Sequence, residues 1–377
     1  MIQFKPGSHV HRLVTLLSYT GEFPAGSLYM LGNERVFKAL VSKLILPQTI
    51  CVGSEQITCR LLNLTGKGRG KTIRLNKGAL GLLDFIDPKA RNYYMNSFWN
   101  HRFPGDAAHI ERNHRVAETA ALCMRSGINT IPYRLPKLQN QQLLKLIPER
   151  PVFYLAKDIK KTGENEMNKT MFTRMTGAVF SSGSCFAVYN TRSCGMKWRG
   201  MGEYKALNSL TEIARMNSEV KSIDSAILIG RSADIAFRTL DNTENTKKQE
   251  FRFDSIYRHI HFIPSDEFGI RLLRLLTLPN LKENILNLLF DHKDRTDGTG
   301  AFEYDAHIYG TYILSHLDGD IARLIRFREA LEVYPQKSEI VCFPEQAKFI
   351  SELMSDKAEV RTIDIHTLES ELNTRII

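Results

Sequence analysis

The chain has 377 residues, 43% of them hydrophobic and 24% charged, which predicts two or three soluble globular domains with real cores. No apolar run approaches transmembrane length and the start lacks a signal-peptide pattern, so no membrane partner is expected and a cytoplasmic protein is. Of the net charge of +10, residues 1–100 hold +8, with 13 Lys/Arg against 5 Asp/Glu, which points to an acidic partner there, nucleic acid above all.

Ser8 can cap a first helix whose apolar positions Val10, Leu13, Val14 and Leu17 follow helical spacing. A turn at 20–22 leads to a short second element over 24–31, with proline placed in its first turn, and Gly32 stops it. Asn33 then caps a third helix over 33–46. Its inner stripe is read as Val36, Leu40, Val41 and Leu44, and its outer side as Arg35, Lys38, Ser42 and Lys43.

Residues 60–77 read RLLNLTGKGRGKTIRLNK. Two short apolar runs, 61–64 and 72–75, flank Gly66, Gly68 and Gly70, which alternate with Lys67, Arg69 and Lys71. Arg60, Arg74 and Lys77 sit on the shoulders. β-rich runs around a glycine-dense turn predict a hairpin with a basic tip that suits a phosphate backbone. The tip ends in Gly-Lys-Thr, but a nucleotide-binding P-loop needs four residues between its glycines and a helix after the Lys-Thr. Gly66 and Gly70 enclose three, and 73–75 reads as strand, so ATP binding is rejected here.

Helix, short helix, basic amphipathic helix and basic hairpin is the order of a winged helix-turn-helix. In that layout Arg35, Lys38 and Lys43 face the major groove. Lys67, Arg69 and Lys71 contact backbone from the wing, with Arg60 and Arg74 beside them. Residues 76–86 read as a closing helix. The stretch 87–106 is aromatic and irregular (Tyr93, Tyr94, Phe98, Trp99, Phe103) and is read as packing between domains rather than a base-stacking platform.

A helix follows around 107–126. Strand-like runs lie at 152–155, 178–180 and 185–189, with a polar loop over 157–169. A helix over 203–216, a buried strand over 225–230 and a hydrophilic linker over 239–249 come next. The last part repeats this order. Helices at 266–278 and 281–290 precede a strand at 309–314, a helix at 319–331, a strand at 339–343, a helix at 344–354 and a strand at 360–365. The shared order predicts two related α/β units. The six cysteines (Cys51, Cys59, Cys123, Cys185, Cys194, Cys342) include no C-x-x-C pair and imply neither disulfides nor zinc.

On HRLVTLLSYTGEFPAGSLYMLG, RLLNLTGKGRGKTIRL, NHRVAETAALCMRSGI and RMTGAVFSSGSCFAVYNT, residues 1–240 resemble the replication-relaxation family of plasmids and integrative elements. The resemblance is one of layout. It implies an N-terminal winged helix joined to a domain like the PD-(D/E)XK nucleases, and DNA binding during mobile-element maintenance or transfer. Such a nuclease site needs an acid on one strand and acid-x-Lys on the next, so that two carboxylates hold Mg²⁺. Here the first position falls near Thr176 and the second near Tyr189, with Thr191 where lysine belongs, and no carboxylate occurs between 168 and 202. The unit reads as catalytically empty.

The second unit has Glu303, Asp305, Asp318 and Asp320, but no acid-x-Lys follows, and Asp318-Gly-Asp320 reads as a helix cap. His259-Ile-His261 lies in an apolar run where alternate strand residues share a face, so both imidazoles could bind one metal. Relaxases and rolling-circle initiators use such a pair with a tyrosine nucleophile, and Tyr304, Tyr309 and Tyr312 are candidates. No third ligand stands at a diagnostic spacing. His9-x-His11 sits on a helix where residues two apart diverge, and Asp291, Asp294 and Asp297 lack the alternate ligands of a calcium loop.

The expected fold class is α+β: a winged helix over 1–100, a degenerate nuclease-like unit over 107–240 and a second α/β unit over 251–377. The expected function is sequence-directed binding of double-stranded DNA, without catalysis, metal or cofactor, as a replication, transfer or relaxosome accessory or a regulator of a mobile element. The α/β units would serve homodimerisation or docking of a protein partner. The alternative is a metal-dependent endonuclease or nickase using His259/His261 or the Asp305 region. A third class is a module that binds an acidic protein.

Overall fold

The computed structural model describes residues 2–98, 101–103, 105–138, 150–159, 174–196, 201–217, 220, 223–241, 253–296 and 302–376. The fold is mixed α+β, with four small sheets among these residues. No helix of the described residues is long and apolar enough to cross a membrane.

After the short strand β1 (Ile2–Gln3), helix α1 (His9–Thr20) starts at Ser8, whose side chain accepts the His11 N–H. All four apolar positions expected to face inward are buried. Strand β2 (Glu22–Pro24), a 3-10 segment (Ala25–Leu31) and helix α2 (Glu34–Leu44) follow. The inner face of α2 keeps Val41 and Leu44 of the expected stripe, with Leu40 half-buried, and departs from it at the first position. Phe37, Val41 and Leu44 are buried, whereas Val36 is 43% exposed. Two adjacent apolar residues leave that position open in the sequence, and the larger ring takes the core.

A hairpin that the sequence reading passes over comes next: β3 (Gln48–Val52) and β4 (Glu55–Cys59), in a sheet of order β1-β3-β4. The glycine-flanked hairpin does form, as β5 (Leu62–Thr65) and β6 (Thr72–Leu75), and joins β2 in the antiparallel order β2-β6-β5. Helix α3 (Ala79–Ile86) begins later than expected because the Asn76 side chain accepts the Gly78 N–H and holds a turn there.

The aromatic stretch is not irregular throughout. Asp87 caps α4 (Pro88–Ser97) through the N–H groups of Lys89 and Ala90. Its aromatics pack inward, and the Lys157 ammonium lies 4.7 Å from the Tyr93 ring centre and 5.1 Å from that of Phe98.

Helix α5 (Ala107–Arg125) lies against a five-stranded sheet. Strands β7 (Val152–Leu155), β8 (Met175–Ser181) and β9 (Ser184–Arg192) are antiparallel. Helix α6 (Met201–Asn217) leads to β10 (Ser225–Gly230), and α7 (Ala233–Asp241) to β11 (His259–Pro264), both strands parallel to β9. Part of the loop expected over 157–169 is a helical turn, Ala156–Ile159. The rest of it, and most of the linker over 239–249, lie outside the described residues.

Alternation along the strands buries both faces. Phe153, Val179, Val188 and Ile227 join the core on the α5 side. Tyr154, Phe180, Tyr189 and Leu228 join the opposite one, with Leu210 of α6 and Ala236 of α7.

Helices α8 (Glu267–Leu276) and α9 (Leu281–Leu289) precede a four-stranded sheet. In it β12 (Ala306–Ile308) and β13 (Thr311–Ser315) form a hairpin. Helix α10 (Ile321–Val333), β14 (Ser338–Cys342), α11 (Pro344–Met354) and β15 (Glu359–Thr362) then add two parallel strands, and α12 (Ile365–Ile376) closes the chain's described part. Hairpin, helix, parallel strand, helix, parallel strand is thus common to both large sheets. Strand β11 falls within 251–377, yet it pairs in the five-stranded sheet. Its edge also meets the segment before α10, where the Phe262 N–H donates to the Gly319 carbonyl at 2.9 Å. Gly319 has φ +71, and a Cβ there would stand 3.0 Å from the Phe262 carbonyl oxygen, so glycine permits the approach of the two sheets.

Candidate nucleic-acid interface

The side chains expected to meet DNA divide into two groups. Asn33 caps α2 by accepting from the N–H groups of Arg35 and Val36, which fixes the start of the helix. Its outward face carries Arg35 and Lys43, both exposed and in no ion pair among the described residues. Lys38 is also exposed but is shared with Glu34 one turn earlier, at 2.7 Å. An exposed pair of this kind contributes little and opens readily.

In the hairpin, Gly66 and Gly68 adopt φ of +82 and +56, and the turn closes through the Gly70 N–H and the Lys67 carbonyl at 3.1 Å. Lys67 and Lys71 are exposed and in no ion pair among the described residues, while the side chain of Arg69 lies outside them.

Arg60 and Arg74 serve the scaffold. The Arg60 Nε donates to the Ile45 carbonyl and ties the end of α2 to the corner before β5. The Arg74 Nε and Nη2 donate to one oxygen of Glu22 at 3.0 and 2.8 Å, and its guanidinium lies 4.3 Å from the Phe103 ring centre. Glu22 is fully buried, so Arg74 is its counter-charge. Arg74→Ala is expected to cost about 2–3 kcal/mol of stability, somewhat less than loss of a fully buried partner because Arg74 is partly exposed. Urea unfolding checks it, and Lys71→Ala is expected to lie within about 0.5 kcal/mol of the parent.

Comparison with protein-family models, curated proteins and solved structures found no match to this chain.

The positions where the family resemblance would place nuclease acids are internal. Thr176 and Thr191 donate their hydroxyls to the carbonyls of Val188 and Ile229, each at 3.0 Å, and the buried Tyr189 hydroxyl meets that of Tyr257 at 2.8 Å. Carboxylates reach this end of the sheet from α5 instead. Glu118 is buried against Ser27 (2.5 Å) and Arg192 (3.1 Å), and Glu111 pairs with both Arg115 and Arg192. Burial pushes the Glu118 carboxyl up, against the pull of Arg192.

Beside this network is a cavity of about 300 Å³ lined by Arg112, Arg115 and Arg174, with Glu111 the lone carboxylate among its lining residues. The sequence reading misses it. Its one local trace is the spacing of Glu111, Arg115 and Glu118, three to four apart on one helical face.

The two strand histidines each spend Nδ1 on the segment before α10. His259 Nδ1 lies 2.6 Å from Asp320 Oδ2, and His261 Nδ1 lies 3.0 Å from the Asp318 carbonyl. Asp320 also accepts the N–H groups of Ile260 and Arg323, so it clamps β11 and caps α10 together. Burial pushes its carboxyl up, but the His259 hydrogen bond and the nearby imidazoles outweigh that and hold it well below the usual carboxylate range.

In the Asp305 region, Arg323 binds both oxygens of Asp305 at 3.0 and 2.6 Å, and both residues are buried. Among the described residues no group of three or more His, Cys, Asp or Glu is placed to hold a metal ion.

Proposed function

We propose that this protein binds double-stranded DNA through a winged helix in residues 1–100. The observation that carries the reading is the shared scaffold of α2 and the basic hairpin. The 3-10 segment links β2 to α2, and β6 of the hairpin pairs with β2 on one side and β5 on the other, so the helix and the basic tip are mounted on one three-stranded sheet. Arg35 and Lys43, with Lys38 when it leaves Glu34, meet the major groove from α2. Lys67, Arg69 and Lys71 meet phosphates from the wing. Arg60 and Arg74 hold the scaffold.

The fold class of the later units is read as nuclease-like and catalytically empty, in keeping with the resemblance to the replication-relaxation family. Their role is dimerisation or docking of a replication or transfer partner, and a two-fold dimer would call for an inverted repeat in the DNA. Nicking through His259/His261 or Asp305 is the weaker reading, because those side chains are engaged in fastening α10 to β11 and to β12–β13. Retarded but intact duplex in a gel at low salt, with and without Mg²⁺, supports this reading, and absence of retardation overturns it.

A further inference from the structure

Where β10 and β11 end, the first turns of α7, α8 and α11 converge on a crevice of about 320 Å³. His316, just past β13, lines it. The backbone N–H of His316 donates to the Val341 carbonyl at 2.8 Å, and the residue is only 4% exposed. No described residue gives its ring a hydrogen-bond partner. Its ring nitrogens are not among the fully enclosed, unpartnered polar atoms of the described residues, so they open onto the crevice and are free to meet what enters it. Burial lowers its pKa, which leaves a neutral ring offering one N–H donor and one acceptor.

The rest of the lining narrows the ligand. Phe262, Phe268 and Phe349 supply flat apolar surface, and Arg231 and Lys348 stand exposed at the mouth. Asp266 is spent on capping α8 through the Gly269 N–H. Lys348 is shared with Glu352 one turn on, at 3.9 Å, and Asp234 and Glu345 also stand at the mouth, so a ligand with one phosphate is repelled less than a polyphosphate. A bare anion would leave the aromatic surface uncovered, and a purely apolar ligand would leave His316 unmet. The volume is at the low end for small-molecule sites, about 300–1,000 Å³, which suits one nucleotide rather than two.

We propose that this crevice binds a nucleoside monophosphate, with the base against the phenylalanines and its edge on His316. The phosphate lies at the mouth between Arg231, Lys348 and the first turn of α7. This site is independent of the DNA-binding reading.

Calorimetric titration of the full chain tests it with adenosine, guanosine, cytidine and uridine monophosphates, the matching nucleosides and inorganic phosphate. At least one monophosphate should bind, about tenfold or more tighter than its nucleoside and than phosphate alone. His316→Leu should weaken it at least tenfold. Arg231→Ala with Lys348→Ala, both at exposed positions, should weaken the monophosphate by a similar factor and leave the nucleoside unchanged. Failure of all four monophosphates to bind, phosphate binding as tightly as the nucleotide, or unaltered affinity in the rim variant would each overturn the proposal.

Discussion

Replacing Lys67, Arg69 and Lys71 together with alanine is expected to flatten the salt dependence of duplex binding by about 2 to 3 units on a log–log plot. Each cation that neutralises a phosphate releases condensed counterions, and the slope counts them. Extrapolated from about 1 M to 0.1 M salt, that difference is on the order of a hundred- to a thousandfold in affinity. Lys67 and Lys71 are exposed and hold no structural ion pair among the described residues, so the variant should unfold at the parent's midpoint. An unchanged slope would remove the hairpin tip from the interface while leaving α2 in question.

The second large effect is on stability. Asp320→Ala is expected to cost about 3–5 kcal/mol, because one buried carboxylate joins His259, the Ile260 N–H and the start of α10. Its folded-state pKa lies below the unfolded value near 4, so its contribution is fully present above about pH 4 and fades as the pH falls toward the folded value. Denaturant unfolding should therefore show the gap between parent and variant at pH 7 and a narrowing gap below pH 4. A constant gap would mean that Asp320 acts through packing and capping alone.

Much of the N-terminal scaffold is legible in the sequence because its signals are local. Ser8 and Asn33 cap the helices they precede, and the glycines at 66 and 68 take the positive φ a tight basic tip requires. The β3–β4 hairpin goes unread although Gly53-Ser54 between two β-branched runs is a turn signal.

Long-range pairing is another matter. Arg74 reads as a DNA contact because its counter-charge, Glu22, lies 52 positions away, and the Asp305–Arg323 pair is just as invisible. In the same way nothing local marks Glu118, whose partners Ser27 and Asn190 lie 91 and 72 positions away. His316 carries no motif at all, and only burial without a partner marks it.

The most direct test of the central claim is one gel-shift and cleavage assay. Purified protein meets random-sequence duplex and single-stranded DNA at low salt, with and without Mg²⁺ or Mn²⁺. The account predicts retarded, intact duplex whose retardation weakens linearly with added salt on a log–log plot and is lost in the triple wing variant. Metal-dependent nicking would contradict the catalytically empty reading of the α/β units. No retardation of duplex at low salt would contradict the central claim itself.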